Sequence, residues 1–405
     1  MRMQLKNIFI AFALLVGGIA NSQNGEDSAK VDLDDIDVTF LSSYYEQDGN
    51  HAAVTGGYGT EYLNNIAPSV IINFPVDTIR SLSLAGGVDY YSSASSDNID
   101  NPTLDPNHVS GQSSSDLRGY ATLGYKVKNK QKYTERGVAL GFSQEYDVSS
   151  GQISSSWGKS SQNKNRSISL KGSYYFDNWK LIAPIELRGL ASYETNIRHT
   201  GNFSVSGVSL ISRRMKASIT ADFTAQQGLL STPFHRVYFL DYMVAKVENL
   251  PNFRYKTPIG LRINYAISSD VFLRTFYRYY WDNWGVIGHS FKVEMPIKIK
   301  KVFKIYPFYR YHVQSAVDYF QSYGNTLSTN EYYTSDHDLS QFTTHKYGVG
   351  IKWTPFDGVA KWGTPWKKGY NSYFKSMEFR YAHFNRSDGL QADIFTVALQ
   401  FKLAR

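Results

Sequence analysis

The stretch Ser290-Phe291-Lys292-Val293-Glu294-Met295-Pro296-Ile297-Lys298-Ile299 decides the fold. Phe291, Val293, Met295, Ile297 and Ile299 alternate with Lys292, Glu294, Pro296 and Lys298. A β-strand turns successive side chains to opposite faces, so this segment has one apolar and one polar face. The rhythm recurs from Val38 to Leu403. Ile259, Leu261, Ile263, Tyr265 and Ile267 alternate with Gly260, Arg262, Asn264 and Ala266; Tyr347, Val349, Ile351 and Trp353 alternate with Lys346, Gly348, Gly350 and Lys352. Phe395, Val397, Leu399, Phe401 and Leu403 form one face of the last such segment. A soluble sandwich uses a few strands of this kind; a chain that repeats them about sixteen times behind an export signal implies an antiparallel transmembrane β-barrel.

Length and composition agree. The chain has 405 residues, with 31 Gly, 31 Tyr, 24 Phe and 7 Trp. Tyr suits the lipid–water boundary, because its ring is apolar and its hydroxyl is wet. The absence of Cys removes disulfides, thiolate metal sites and cysteine nucleophiles. Arg2 and Lys6, the apolar run 8–20 and the small residues Ala20-Asn21-Ser22 form a secretory signal, with the mature chain expected to begin near Gln23. No later stretch approaches the roughly 20 apolar residues of a membrane helix. The expected organisation is a signal peptide over 1–22, a flexible lead over 23–35 and an outer-membrane barrel over 36–403.

Candidate strands cover 36–46, 67–76, 79–95, 117–128, 137–147, 152–162, 167–179, 202–212, 215–227, 255–268, 271–281, 289–299, 303–319, 345–355, 372–385 and 391–403. Sixteen is even, as a barrel with both termini on one side requires, with 14 to 18 as the range. Short and long links largely alternate, which places the long ones outside the cell. The link 356–371 breaks the rule. It is long on the short-turn side and carries Lys361, Trp362, Trp366, Lys367 and Lys368, a composition for an interface-anchored turn or a periplasmic contact.

A Lys or Arg facing lipid at mid-depth costs about 2–4 kcal/mol, so the charged faces belong to the bore. Arg262, Arg274, Arg278, Lys292, Arg310, Lys346, Lys352 and Arg380 then point inward from the C-terminal half, opposed there by Glu294 and Glu378. The N-terminal half contributes Asp89, Glu145, Asp177 and Asp222, with Lys126 and Lys171. One basic wall facing one acidic wall gives a field across the bore that favours anions along the basic side. The residues leave three readings open: a polar channel, cross-strand pairs filling a plugged interior, or a ligand pocket. The net charge of +8 is spread over strand faces rather than clustered, so no nucleic-acid partner is expected.

Two Gly-bracketed loops carry further polar residues: Asp48, Asn50, His51 and Thr55 in one, and His235, Arg236 and Tyr238 in the other. Together these residues suit loop packing, or a site for an anion or a metal; one His per loop, without HExxH or an i, i+3 pair, is a weak metal signal. Residues 56–59 lack the Lys-Ser/Thr ending of a phosphate loop. His289-Ser290 point to opposite faces, which argues against a lipid hydrolase. Asp336-His337-Asp338 and His345 fall in a polar loop and imply a solvated surface. No cofactor or catalytic constellation emerges, and the chain is not expected to be an enzyme.

Tyr44-Tyr45-Glu46-Gln47-Asp48-Gly49-Asn50-His51-Ala52-Ala53-Val54-Thr55-Gly56-Gly57-Tyr58-Gly59-Thr60-Glu61 resembles the opening signature of domain-of-unknown-function family 3570. Residues 92–99 and 228–239 resemble further signatures, and the likeness runs over about 37–403. The resemblance implies an outer-membrane barrel of Gram-negative bacteria without an established activity, with membrane lipid and the barrel-insertion machinery as partners. The ending Phe401-Lys402-Leu403-Ala404-Arg405 departs from the usual terminal aromatic, although Phe401 and Leu403 keep the alternation. Family members are often encoded near thioredoxin-like and flavin-transferring proteins. This implies an extracytoplasmic redox setting in which a chain without Cys or a haem motif would sheathe a periplasmic partner rather than carry electrons itself. Two functions follow as expectations, a porin-like channel for small polar or anionic solutes or a scaffold around such a partner, with an enzyme of the outer-membrane surface as the lesser third.

Overall fold

The computed structural model describes residues 35–93, 114–355, 358–363 and 371–403. Its strands are β1 Ile36–Asp48, β2 Leu63–Pro75, β3 Arg80–Ser93, β4 Ser114–Asn129, β5 Thr134–Gln144, β6 Val148–Ser160, β7 Arg166–Trp179, β8 Ile197–Ser212 and β9 Met215–Gly228. They continue with β10 Phe253–Ala266, β11 Phe272–Asp282, β12 Ile287–Glu294, β13 Phe303–Gln314, β14 Phe342–Trp353, β15 Asn371–Arg386 and β16 Gln391–Leu403. Each pairs antiparallel with its neighbours in sequence. The first and last close the ring, from Ile36 opposite Leu403 to Asp48 opposite Gln391. The fold is a closed sixteen-stranded antiparallel β-barrel. Closure removes the free edges that a membrane cannot solvate.

Two strands are interrupted. β12 resumes at Ile297–Ile299 after Met295 and Pro296, because proline has no amide to donate to the ladder. Both pieces of β12 lie against β13. β14 likewise resumes at Val359–Gly363, still against β15. This continuation occupies part of the long link on the short-turn side, and there the Trp362 ring meets Phe401 at 6.3 Å. Trp366, Lys367 and Lys368 lie outside the described residues, as do residues 94–99 of the second signature and the expected signal peptide.

Some boundaries differ from those expected. β2, β6 and β8 begin earlier, at Leu63, Val148 and Ile197, since pairing with a formed neighbour extends a strand past its own hydrophobic pattern. β13 stops at Gln314 rather than 319 because its ladder with β14 ends there. The chain beyond it bonds to other loops, through Val317 N–H to the Leu339 carbonyl and Asp318 N–H to the Trp284 carbonyl.

The register sorts the faces. Val138, Leu140 and Phe142 on β5 are each more than half exposed. With Phe291, Tyr347, Val349 and Ile351 they belong to an outer apolar surface, which water would disfavour by about 25 cal/mol per Å² and hydrocarbon accommodates. Tyr–His pairs recur on this outer face, with Tyr174 to His199 at 2.6 Å, Tyr277 to His289 at 2.8 Å and Tyr309 to His345 at 2.7 Å. His345 is therefore a strand residue rather than part of a polar loop. The apolar cores among the described residues lie in the long loops. Leu250, Trp284, Val286 and Val317 form one, and Val237, Phe239 and Tyr333 another.

Candidate functional site

Four strands bring the inward charges of the C-terminal half together. Glu294, 5% exposed, lies opposite Arg274 in the β11–β12 ladder. It accepts from Arg274 at 3.0 Å, Lys292 at 3.0 Å and Arg380 at 3.3 Å. Arg380 also binds Glu378, which Lys352 approaches at 3.5 Å. Two carboxylates thus bind four cations in one continuous network.

A second group on the same face has no such compensation. Arg262, Arg278, Arg310 and Lys346 form no ion pair among the described residues. Arg310 lies opposite Lys292 on one side and Lys346 on the other, and its guanidinium donates to Ser290 Oγ at 3.3 Å. Ser290 shares a 2.7 Å hydrogen bond with His312 Nδ1, and Gln314 stands 3.3 Å from the other ring nitrogen. Among the described residues no carboxylate hydrogen-bonds that imidazole, so the pair has no third member of a hydrolytic triad there. Arg310, His312, Lys346 and Arg386 line a pocket of about 260 Å³ together with Phe342, Phe384, Thr344 and Asp338. Arg386 is 4% exposed, stacks over Phe342 and binds Asp338 and Asp388. Its Nη2 is buried with no hydrogen-bond partner among the described residues. The arrangement is a cation-rich, half-apolar recess suited to a small anion.

The expected acidic wall is weaker than its carboxylates suggest. Asp177, 6% exposed, takes a 2.8 Å hydrogen bond from Arg198, and Arg118 stands 3.8 Å from Asp89. Tyr91 donates to Glu145 at 2.5 Å, Lys126 pairs with Glu135 at 3.5 Å, and Asp222 faces Ser204. Lys171 faces Ser156 on one side and Ser204 on the other. Three charged partners were missed, Arg118, Glu135 and Arg198. Arg118 has the same strand parity as Lys126, a signal already in the sequence. Arg198 lies before the expected start of β8, and only the extended pairing with β7 brings it to Asp177.

At the long-loop end the two Gly-bracketed segments meet. Arg236, 1% exposed, donates to the Val54 carbonyl at 2.8 Å and to Glu186 at 3.0 Å. Thr55 Oγ1 donates to the Ala52 carbonyl at 3.2 Å and to the Tyr58 carbonyl. Tyr238 packs on Tyr323 at 4.8 Å. Gly56 and Gly57 hold φ of 85° and 88°. A Cβ at Gly57 would come within 2.5 Å of the Ser335 carbonyl, so the turn requires glycine twice over. His51 stacks on His337, with centroids 3.8 Å apart. Asp48 ends β1 opposite Gln391, and Asn50 follows in the loop.

Within 336–338, Asp336 and His337 are drawn into the loop packing, whereas Asp338 keeps the solvated position its composition suggests, with its side chain 71% exposed. Asp336 Oδ1 caps its own turn by accepting from Asp338 N–H, His337 is stacked, and Asp338 binds Arg386. Barrel closure has carried three remote loops against it. Burial pushes Asp336 up to about 6 and Glu61 up to about 7. Burial opposes charge on Asp388 too, yet His337 at 3.7 Å and the 2.7 Å hydrogen bond from Arg386 hold its carboxyl well below the usual range.

A family model described as "Protein of unknown function (DUF3570)" matches residues 9–378. The chain belongs to this family. No curated protein matches it. Solved structures align with this DUF3570 member over most of its length at low identity. OccK1 (OpdK) of Pseudomonas aeruginosa shares 7% identity over 92% of this chain and all of its own, with a TM-score of 0.37. A BenF-like porin from Pseudomonas fluorescens shares 8% over 91% and 98%, with a TM-score of 0.39. A bacterial polysaccharide outer membrane secretin shares 7% over 93% and 100%, with a TM-score of 0.46. At such scores the barrel assignment stands on its own strand pairings.

Proposed function

We propose that the protein is an outer-membrane barrel that passes small organic or inorganic anions along the basic strip of β10–β14, beneath outer loops that constrict its mouth. The apolar exterior supports the membrane location. The observation that carries the anion preference is the set of inward cations, Arg278, Arg310 and Lys346 above all, that no described carboxylate neutralises. A selectivity region needs charge that is available to the solute, whereas the Glu294 network has spent its own on neighbours. The recess at Arg310, Lys346 and Arg386 is a resting point, weak enough to leave because it is open at one side.

Purified protein in a planar bilayer with a salt gradient tests this. Stepwise conductance with a reversal potential toward the anion is expected. Correctly inserted protein that stays silent, or that prefers cations, refutes it.

A second reading rests on the short-turn side, where the exposed residues Lys361 and Trp362 continue β14. There the barrel would hold a periplasmic partner, which a pull-down from mildly solubilised membranes would recover in stoichiometric amount and which a Lys361→Glu, Trp362→Ala double variant would lose.

A further inference from the structure

The long-loop end holds a group of side chains that anion passage does not use. His235 and Glu248 come from the loop between β9 and β10, and Asp336 comes from the loop between β13 and β14. One ligating atom from each lies within 4.8 Å of the other two. Glu248 is 4% exposed. Both of its oxygens are already oriented, Oε1 by the Thr334 hydroxyl at 2.5 Å and Oε2 by the Thr232 amide at 2.7 Å. The Asp336 amide in turn donates to Thr334 Oγ1 at 3.0 Å.

His235 Nδ1 is the odd member. It is buried and has no hydrogen-bond partner among the described residues. It stands 3.6 Å from Glu248 Oε1, too far for a hydrogen bond. Two ligands each about 2.0–2.2 Å from a shared ion stand roughly 3–3.6 Å apart, so this spacing is that of neighbouring vertices of a coordination shell. A buried imidazole nitrogen left unbonded beside two carboxylates, with an outer layer of hydroxyl and amide donors already fixing the carboxylate, is what a metal centre requires of its protein.

We infer that His235, Glu248 and Asp336 bind one divalent transition-metal ion, of the zinc class, that ties the β9–β10 loop to the β13–β14 loop over the barrel mouth. The imidazole nitrogen disfavours Ca²⁺ and Mg²⁺, which take oxygen ligands. Two carboxylates and one imidazole leave a fourth position for water. The neighbouring Arg236 lets the ion brace more than two loops, because that guanidinium holds Val54 and Glu186.

Full-length protein in detergent micelles, stripped with EDTA and titrated with ZnCl2 in a calorimeter, tests the site. One zinc ion per chain is expected. His235→Gln and Asp336→Asn are each expected to weaken binding about tenfold or more. Heat-modifiable migration on gels checks that each variant barrel is folded. Unmodified protein is also loaded with one equivalent of Co²⁺, which should give a visible ligand-field band that EDTA abolishes; this arm needs no variant. Absence of stoichiometric zinc binding, or folded variants that bind as tightly as the unmodified chain, overturns the inference. So does stoichiometric Ca²⁺ binding in place of zinc.

Discussion

Arg310 on β13 and Lys346 on β14 stand directly opposite each other in their shared ladder, and neither has an ion-pair partner among the described residues. Like charges in that position oppose folding by about 0.2–1 kcal/mol. A barrel under selection for stability alone would place a carboxylate or a neutral residue at one of them. The anion path proposed above gives both a reason to stay.

Replacing both by glutamine should therefore stabilise the barrel slightly while weakening its preference for anions. Each charge about 4 Å from a passing ion in aqueous surroundings contributes about 1 kcal/mol, or about fivefold in relative permeability. Reversal potentials in asymmetric salt measure the selectivity, and urea midpoints in micelles measure the stability. A destabilised double variant with unchanged selectivity would contradict the role given to the pair.

Glu294 has the opposite character. Glu294→Gln leaves Arg274, Lys292 and Arg380 facing one another with only Glu378 nearby, and removing one partner of a buried ionic group costs about 3 kcal/mol or more. The variant should unfold at a lower urea concentration with an unchanged slope. Its anion preference should rise, since Arg274 and Lys292 are released to the bore while Arg380 keeps Glu378.

Arg236→Ala tests the loop assembly. The substitution removes a buried guanidinium from Glu186 and the Val54 carbonyl, at a cost of about 2–3 kcal/mol. That cost falls on the loops and leaves the ladders intact. Limited proteolysis should cut the outer loops of this variant faster, while the barrel keeps its heat-modifiable migration. Loss of the barrel itself would mean that the loops and ladders fold as one unit.

Glu61 gives the loops a pH dependence. Its folded pKa is raised from 4.5 to about 7 by burial, with Asp336, Asp338 and Asp388 nearby and Arg386 opposing them. The folded state therefore holds the proton more tightly than the unfolded state between these values. Its contribution to stability is fully present below about pH 4.5 and is lost as pH rises through about 7. Hydrogen exchange in residues 49–62 should slow on going from pH 8 to pH 5.5, after correction for the intrinsic rate, and Glu61→Gln should flatten that trend. An unchanged trend in the variant would assign the effect to another group.

Much of the molecule was legible in its amino acids alone. The alternation of Phe291, Val293 and Met295 with Lys292 and Glu294 is a local property of an extended chain, so strand number, facing and the order of long and short links follow without knowledge of any partner. Closure needs only that every strand find two neighbours. The ion-pair pattern was half visible. Parity alone places Arg118 inward beside Asp89, but Arg198 reaches Asp177 only because β7 extends β8 beyond its own pattern.

The loops lay beyond such reasoning. His51, Arg236 and His337 lie about a hundred or more residues apart and share no period, so nothing local predicts that His51 stacks on His337 or that His235 and Glu248 face Asp336. The barrel brings them together by carrying every second link to the same rim. One-dimensional pattern determined the cylinder and which side chains face its bore, because backbone geometry fixes side-chain direction residue by residue. The packed loops, and with them the free or neutralised state of each charge, were decided by three-dimensional closure, because those contacts depend on distances that exist only once the ring is complete.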